Sequence, residues 1–188
     1  MSKRSNPFAL AALAGLLALA PALAATNARS TLHSNDKKFI WNAAVGGMEE
    51  VQLGQLAAQK ASNPDVKNFG QRMVDDHSKA NDRLKSLAAQ KGVTLPTTLP
   101  ADKRKDVDKL SKLSGAAFDR EYMSMMVKDH KKDVSEFDKE SKQARDSDVK
   151  SFAQGTLPTL REHLQMAQSI AAKVGAHTGQ QTSKKSGS

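Results

Sequence analysis

Apolar residues recur at intervals of three and four along most of this chain, and polar or charged residues fill the positions between them. This spacing places the apolar side chains on one face of an α-helix, and no segment shows the strict alternation of a β-strand. The pattern therefore predicts an all-α fold of four long helices and one short, charged helix. The helices are expected at residues 36–61, 64–91, 101–112, 114–144 and 147–175.

A long internal repeat indicates how these helices pair. The sequence DVKNFGQ at residues 65–71 matches DVKSFAQ at residues 148–154 at five of seven positions, an offset of 83. Such a repeat predicts two similar helical hairpins that pack into a four-helix bundle, with the short helix in the connection between them. Phe69 and Phe152 should then occupy equivalent environments.

The two ends of the chain are predicted to lie outside this bundle. Residues 1–24 have the features of a secretory signal peptide, with a basic start, an apolar run at residues 8–20 and an Ala-Leu-Ala cleavage motif at residues 22–24. A membrane anchor is disfavoured because the run is shorter than the roughly 20 residues of a spanning helix, and no transmembrane segment is expected in the mature chain. The bundle domain is predicted at residues 35–175, followed by a disordered polar tail at residues 176–188.

The chain is basic, with a formal net charge of +9 that falls to +7 if the signal peptide is removed. A basic chain invites a nucleic-acid partner. Acids and bases alternate, however, as in DKRKD at residues 102–106, and aromatic residues that could stack on bases are few. The charge therefore predicts solvated helix faces and argues against nucleic acid, while peripheral contact with an anionic envelope surface stays open.

Three histidines lie within the apolar faces of the predicted helices: His77, His130 and His163. At about 1.5 Å per residue, antiparallel packing brings His130 and His163 to the same height, and Glu50 and His77 to within about one turn of each other. Asp133 lies three residues after His130 and can face the same way. Glu50, His77, His130, Asp133 and His163 are therefore candidate ligands of a transition metal such as Zn, Cu or Fe. The alternative is a buried polar network in which these side chains hydrogen-bond and fix the helix register.

Other sequence features say less about function. The methionines at residues 123–126 and Met73 could ligate Cu(I), although methionines at helical spacing commonly fill cores. His33 and His177 are expected in flexible ends without a role. No P-loop, dinucleotide-binding, nucleophile-elbow or zincin motif is present, so an enzyme is the least supported class of protein.

Five short runs carry a resemblance to a known family: EVQLGQLA at residues 50–57, VKNF at 66–69, MVDDH at 73–77, MVKDH at 126–130 and LPTLREHL at 157–164. Together they resemble a family of secreted bacterial proteins of unknown function, labelled outer membrane proteins and placed in the ferritin-like superfamily. The resemblance spans about residues 39–174. It implies a ferritin-like four-helix bundle in the periplasm, with any outer membrane association peripheral, and it supplies no activity.

The chain departs from the di-iron enzymes of that superfamily in one respect. Those enzymes carry Glu-x-x-His on two helices, whereas Val74, Val127 and Leu160 stand three residues before the histidines here. Any site should therefore be rich in histidine and poor in carboxylate. The leading hypothesis is a periplasmic bundle whose buried His/Glu cluster binds a transition metal for storage, sensing or envelope stress protection. The alternative is a non-metal structural or interaction protein of the cell envelope.

Overall fold

The computed structural model describes residues 32–178, which contain five helices and no strand. The predicted all-α fold is confirmed, and each helix begins and ends within two residues of its expected position. The signal peptide predicted at residues 1–24 and most of the tail predicted at 176–188 lie outside the described residues. None of the described helices is long and apolar enough to cross a membrane. The helices are α1 Ser34–Lys60, α2 Pro64–Lys91, α3 Ala101–Ser111, α4 Gly115–Gln143 and α5 Ser147–Val174.

The same local chemistry begins and ends the second helix of each hairpin. Asn63 and Asp146, which are 83 residues apart, each accept a hydrogen bond from the backbone N–H two residues later, at 2.8 and 2.9 Å. These bonds satisfy donors that the first turn of a helix leaves free. Gly92 and Gly175 end α2 and α5 with φ angles of 67° and 69°, a left-handed conformation that glycine adopts without strain.

The cores of the two halves are also equivalent. Phe69 of α2 packs edge to face on Tyr122 of α4, with ring centroids 6.2 Å apart at 64°. Phe152 of α5 packs on Phe39 of α1 in the same way, at 6.4 Å and 62°. Because 83 residues separate both Phe39 from Tyr122 and Phe69 from Phe152, the expected equivalence of the two hairpins is confirmed.

Each hairpin caps the turn of the other with one buried aspartate. Asp119 of α4 accepts hydrogen bonds from the backbone N–H groups of Ser62 and Asn63, at 3.1 and 2.9 Å, in the turn between α1 and α2. Asp36 of α1 accepts the corresponding bonds in the turn between α4 and α5, at 3.4 and 2.8 Å. The two aspartates therefore join the hairpins at both ends of the bundle.

The short helix α3 lies in the connection between the hairpins, as expected, and packs mainly on α1. Leu110 anchors it because this side chain is completely buried in the core. Near the start of α3, Lys103 Nζ lies 2.6 Å from Glu49 Oε2 on α1. The helix thereby places one ammonium group over the middle of the bundle.

The two histidines nearest the ends of the described chain have structural contacts. His33 Nδ1 accepts a hydrogen bond from the backbone N–H of Asn35 at 3.3 Å and so caps α1. The backbone carbonyl of His177 accepts a bond from the Ser124 hydroxyl at 2.5 Å. His33 therefore has a role as a helix cap that was not expected, and the flexibility expected of both ends stays a prediction.

The reciprocal caps give the first prediction. Asp36→Ala and Asp119→Ala should each lower the free energy of unfolding by about 2 kcal/mol, because each leaves two backbone donors without an acceptor. Urea denaturation of the two variants measures the loss. Asp108→Ala on the exposed face of α3 is the control and should change stability little. If only one of the two variants loses stability, the caps are not equivalent.

Candidate metal centre

Three helices bring His77, His130 and His163 together in the middle of the bundle. His77 comes from α2, His130 from α4 and His163 from α5. One ring nitrogen of each lies within 4.8 Å of the other two. The residues are only 7%, 0% and 1% exposed. The convergence predicted from helix heights is therefore present for all three histidines.

Core packing holds the three rings in place. Phe69 lies against two of them, with centroid distances of 6.5 Å to His130 and 6.4 Å to His163. Met73 and Met126, one helical turn before His77 and His130, are fully buried in the core cluster that contains Phe69. This burial fits the core-filling interpretation of the methionines. The imidazoles therefore lie in an apolar environment that disfavours charge on the rings.

Hydrogen bonds fix which nitrogen of two rings carries the proton. The backbone carbonyl of Met126 lies 3.0 Å from His130 Nδ1, and a carboxylate oxygen of Asp76 lies 3.0 Å from His163 Nε2. Carbonyl and carboxylate oxygens only accept, so these ring nitrogens donate. The other nitrogens, His130 Nε2 and His163 Nδ1, then carry lone pairs.

Three buried ring nitrogens have no hydrogen-bond partner. They are His77 Nε2, His130 Nε2 and His163 Nδ1, one from each member of the cluster. Buried polar atoms without partners are rare in folded proteins because each costs about 1–3 kcal/mol. A cation that accepts three lone pairs would satisfy all of them, so these residues fit a metal ion.

The histidines are held neutral, which is the state that binds metal. Burial, together with the nearby rings of His130 and His163, lowers the pKa of His77 to about 3. Burial and the neighbouring His163 lower the pKa of His130 to about 3 as well. Burial also lowers the pKa of His163, although its bond to Asp76 opposes the change.

Asp76 is a candidate site residue that the sequence pattern did not indicate. It orients His163, and Arg72 orients it in turn, since Arg72 Nε lies 3.0 Å from the same carboxylate. Metal-binding histidines commonly donate their second N–H to a carboxylate in this way. The DDH sequence at residues 75–77 was a signal, but periodicity alone does not say which aspartate faces α5.

The two predicted carboxylate ligands lie beside the histidines rather than among them. Glu50 is 3% exposed, and its Oε1 lies 3.8 Å from His130 Nδ1, which is too far for a hydrogen bond. Burial, aided by the negative charge of Asp133, raises the pKa of Glu50 well above its usual value. Asp133 lines a cavity next to the histidines, and burial together with Asp129 raises its pKa to about 7. Ligation by Glu50 and Asp133 stays a prediction.

The low histidine pKa values predict a pH-dependent stability. Below pH 6.5 the unfolded chain protonates His77, but the folded chain does not until about pH 3, so stability is lost as pH falls through this window. His130, His163 and Asp76 face the ring of His77. Both proteins are compared without metal. The free energy of unfolding of His77→Leu, minus that of wild type, should be about 2–3 kcal/mol larger at pH 4.5 than at pH 7.5.

Urea denaturation of wild type and His77→Leu at both pH values gives this difference. His177→Leu, at an exposed position outside the cluster, is the control. The same relative stability of His77→Leu at both pH values would show that His77 is not held neutral by the fold.

Several proteins of known structure share this fold. A DUF305 fragment from Deinococcus radiodurans has a TM-score of 0.66 at 12% identity, covering 76% of this chain and 98% of that chain. A DUF305 protein from Streptomyces coelicolor, described as a candidate secreted protein, has a TM-score of 0.66 at 14% identity, covering 79% and 98%. CopM in its Cu(I)-bound form has a TM-score of 0.62 at 16% identity, covering 73% and 96%. The ferritin-like all-α bundle is therefore confirmed.

Sequence comparisons place the chain in a family. No curated protein sequence matches it significantly. A domain of unknown function, DUF4142, matches residues 21–170. Nothing in these similarities supports the outer membrane label, which stays a prediction. Because the family match covers well over half of its residues, the chain belongs to the DUF4142 family.

Proposed function

We propose that this protein binds one transition metal ion through His77, His130 and His163, and serves in metal storage, sensing or stress protection in the periplasm. Two observations together carry the proposal: one ring nitrogen of each buried histidine lies within 4.8 Å of the other two, and each ring has a buried nitrogen without a hydrogen-bond partner. Neutral imidazoles suit Zn, Cu, Fe and Ni. The carboxylate of Asp76 adds the outer bond typical of metal-binding histidines.

Copper is the first metal to test. A site of three neutral nitrogens in an apolar core is better suited to a singly charged ion, because the cost of burying an ion rises with its charge. The Cu(I)-bound form of CopM, a protein with the same fold, supports this choice. The lack of a Glu-x-x-His pair makes a di-iron centre a poor alternative.

A periplasmic location rests on the predicted signal peptide and on the likeness to a candidate secreted protein. The net positive charge of the mature chain would favour peripheral contact with an anionic envelope surface. Neither feature bears on the metal site itself, so the metal experiments test a separate part of the proposal.

Metal titration of wild type and a ligand variant is the direct test. His130→Ala should weaken binding of Cu(I), Zn²⁺ or Co²⁺ by more than about 100-fold, since even outer partners of metal ligands are worth 10–100-fold. His177→Ala should bind like wild type. Competition with chromophoric chelators gives the affinities. The proposal fails if wild type binds none of these ions, or if His130→Ala binds as tightly as wild type.

The alternative of a buried polar network makes a different prediction. A network would pair the ring nitrogens with one another or with Glu50, yet three of them and Glu50 Oε2 have no partner. If the histidines formed only such a network, His130→Ala would lower the free energy of unfolding by about 1–3 kcal/mol, with or without added metal. A melting temperature that rises with added metal in wild type but not in His130→Ala distinguishes the two.

The contact between Asp76 and His163 provides a further test of the metal site. Asp76→Asn should weaken metal affinity by about 10–100-fold, because the amide is a weaker acceptor for His163 and no longer increases its basicity. Asp75→Asn is a matched control with the same change of charge one residue away, at an exposed side chain bonded only to Gln71. Equal metal affinities of the two variants would show that Asp76 does not support metal binding.

A further inference from the structure

A cavity of about 240 Å³ lies beside the histidine cluster and is lined by residues from all five helices. Its lining includes His77 and Glu50, and Glu50 Oε1 lies 3.8 Å from His130 Nδ1. The cavity therefore extends to the site proposed above through His77.

The duplication relates the lining of this cavity to the histidine cluster. The residues that stand 83 positions away from the three histidines all line the cavity. They are Gly47, Ala80 and Leu160. Each histidine thus has a small or apolar counterpart in the other hairpin, and these counterparts line the cavity.

Acidic side chains dominate the polar part of the cavity. Glu49 Oε1 and Glu50 Oε2 are buried without a hydrogen-bond partner, and each residue is only 3% exposed. A cation that reaches these oxygens would give them the partner that they lack. The lining has six acids against Lys103 and Lys132; the acids are Glu49, Glu50, Asp102, Asp129, Asp133 and Glu136.

Lys103 already places one cation in this cavity. Its ammonium group lies 2.6 Å from Glu49 Oε2, and its side chain is 27% exposed. The group is carried by α3, which belongs to the connection between the hairpins. A lysine on a flexible stem can withdraw when another cation takes its place.

The other side of the cluster is less suited to cations. A second cavity of about 320 Å³ touches His77 and His163, but Lys79 and Arg83 also line it. Its one acid, Asp76, is already bonded to His163 and Arg72. Positive charge at this opening repels a metal ion.

We propose that the acidic cavity is the route by which a metal ion reaches the histidines, and that Glu49 and Glu50 hold the ion in transit after it displaces the Lys103 ammonium. This inference rests on the proposed metal site. The ion passes from oxygen ligands, which bind it loosely and exchange readily, to three imidazole nitrogens. The cavity thereby provides both the attraction and the path that a buried site lacks.

The rate of metal uptake tests this route. Trp41 is the only tryptophan of the chain and lines the cavity, so its fluorescence should be quenched as Co²⁺ or Cu²⁺ enters. Stopped-flow mixing of each ion with the protein gives the association rate constant, and equilibrium titration gives the Kd. The variants are Asp129→Asn and Lys103→Met in the acidic cavity, Lys79→Gln at the other opening, and Asp82→Asn as an exposed control of matched charge.

A route through the acidic cavity predicts that two variants change the association rate constant in opposite directions. Asp129→Asn should slow association by about three- to tenfold, because fields from clefts of one sign raise association rates by about 10- to 1,000-fold in total. Lys103→Met should accelerate it, since the competing cation is gone. Lys79→Gln and Asp82→Asn should associate at the wild-type rate. Added salt should slow wild type more than Asp129→Asn.

Three results overturn the inference, and they are distinguishable. If Asp129→Asn and Lys103→Met both associate at the wild-type rate, or Lys79→Gln alone accelerates uptake, the ion does not use the acidic cavity, although the metal site stands. If wild type binds Cu(I) but neither divalent ion at equilibrium, the route for divalent ions fails while the metal site stands. If wild type binds none of these ions, nor Zn²⁺, the metal site and the route both fail. Should Lys103→Met not fold, Asp129→Asn and the salt dependence still decide the matter.

Discussion

The burial of three neutral imidazoles at the meeting of α2, α4 and α5 is the constraint on which the rest of this molecule depends. Each ring has one buried nitrogen without a hydrogen-bond partner, and each such nitrogen costs free energy that the fold must supply. Such an arrangement is stable only on a scaffold whose helices cannot shift to relieve it. The reciprocal aspartate caps at the two ends of the bundle meet this need, because they fix each hairpin against the other.

The duplication distinguishes the features that maintain the fold from the histidines of the proposed metal site. The caps, the terminal glycines and the aromatic pairs recur in both halves at an offset of 83, so they maintain the fold. The histidines do not recur. Their counterparts are Gly47, Ala80 and Leu160. A symmetric scaffold thus carries an asymmetric site, which is expected when function resides in a few side chains placed on a general fold.

Periodicity and capping residues were enough to predict the helices, because each signal acts within a few turns of chain. The three histidines could also be predicted, since helix rise sets their heights and the apolar faces set their directions. Asp76 could not, because its contact with His163 depends on the rotation of α2 against α5. Glu50 was expected to reach the cluster, and it stops 3.8 Å from His130. Sub-turn distances between helices depend on packing that one sequence pattern does not encode.

Access is the remaining physical problem of a buried site. Rings that are 0–7% exposed cannot exchange an ion with solvent unless the bundle opens or already contains a path. Opening would break the caps and the packed core, at a cost of several kcal/mol. A preformed cavity avoids that cost, and acidic walls make it attractive to cations. The ammonium of Lys103 then offsets part of this negative charge when no metal ion is present. The connection helix α3 therefore sets part of the charge in this cavity as well as the connectivity of the bundle.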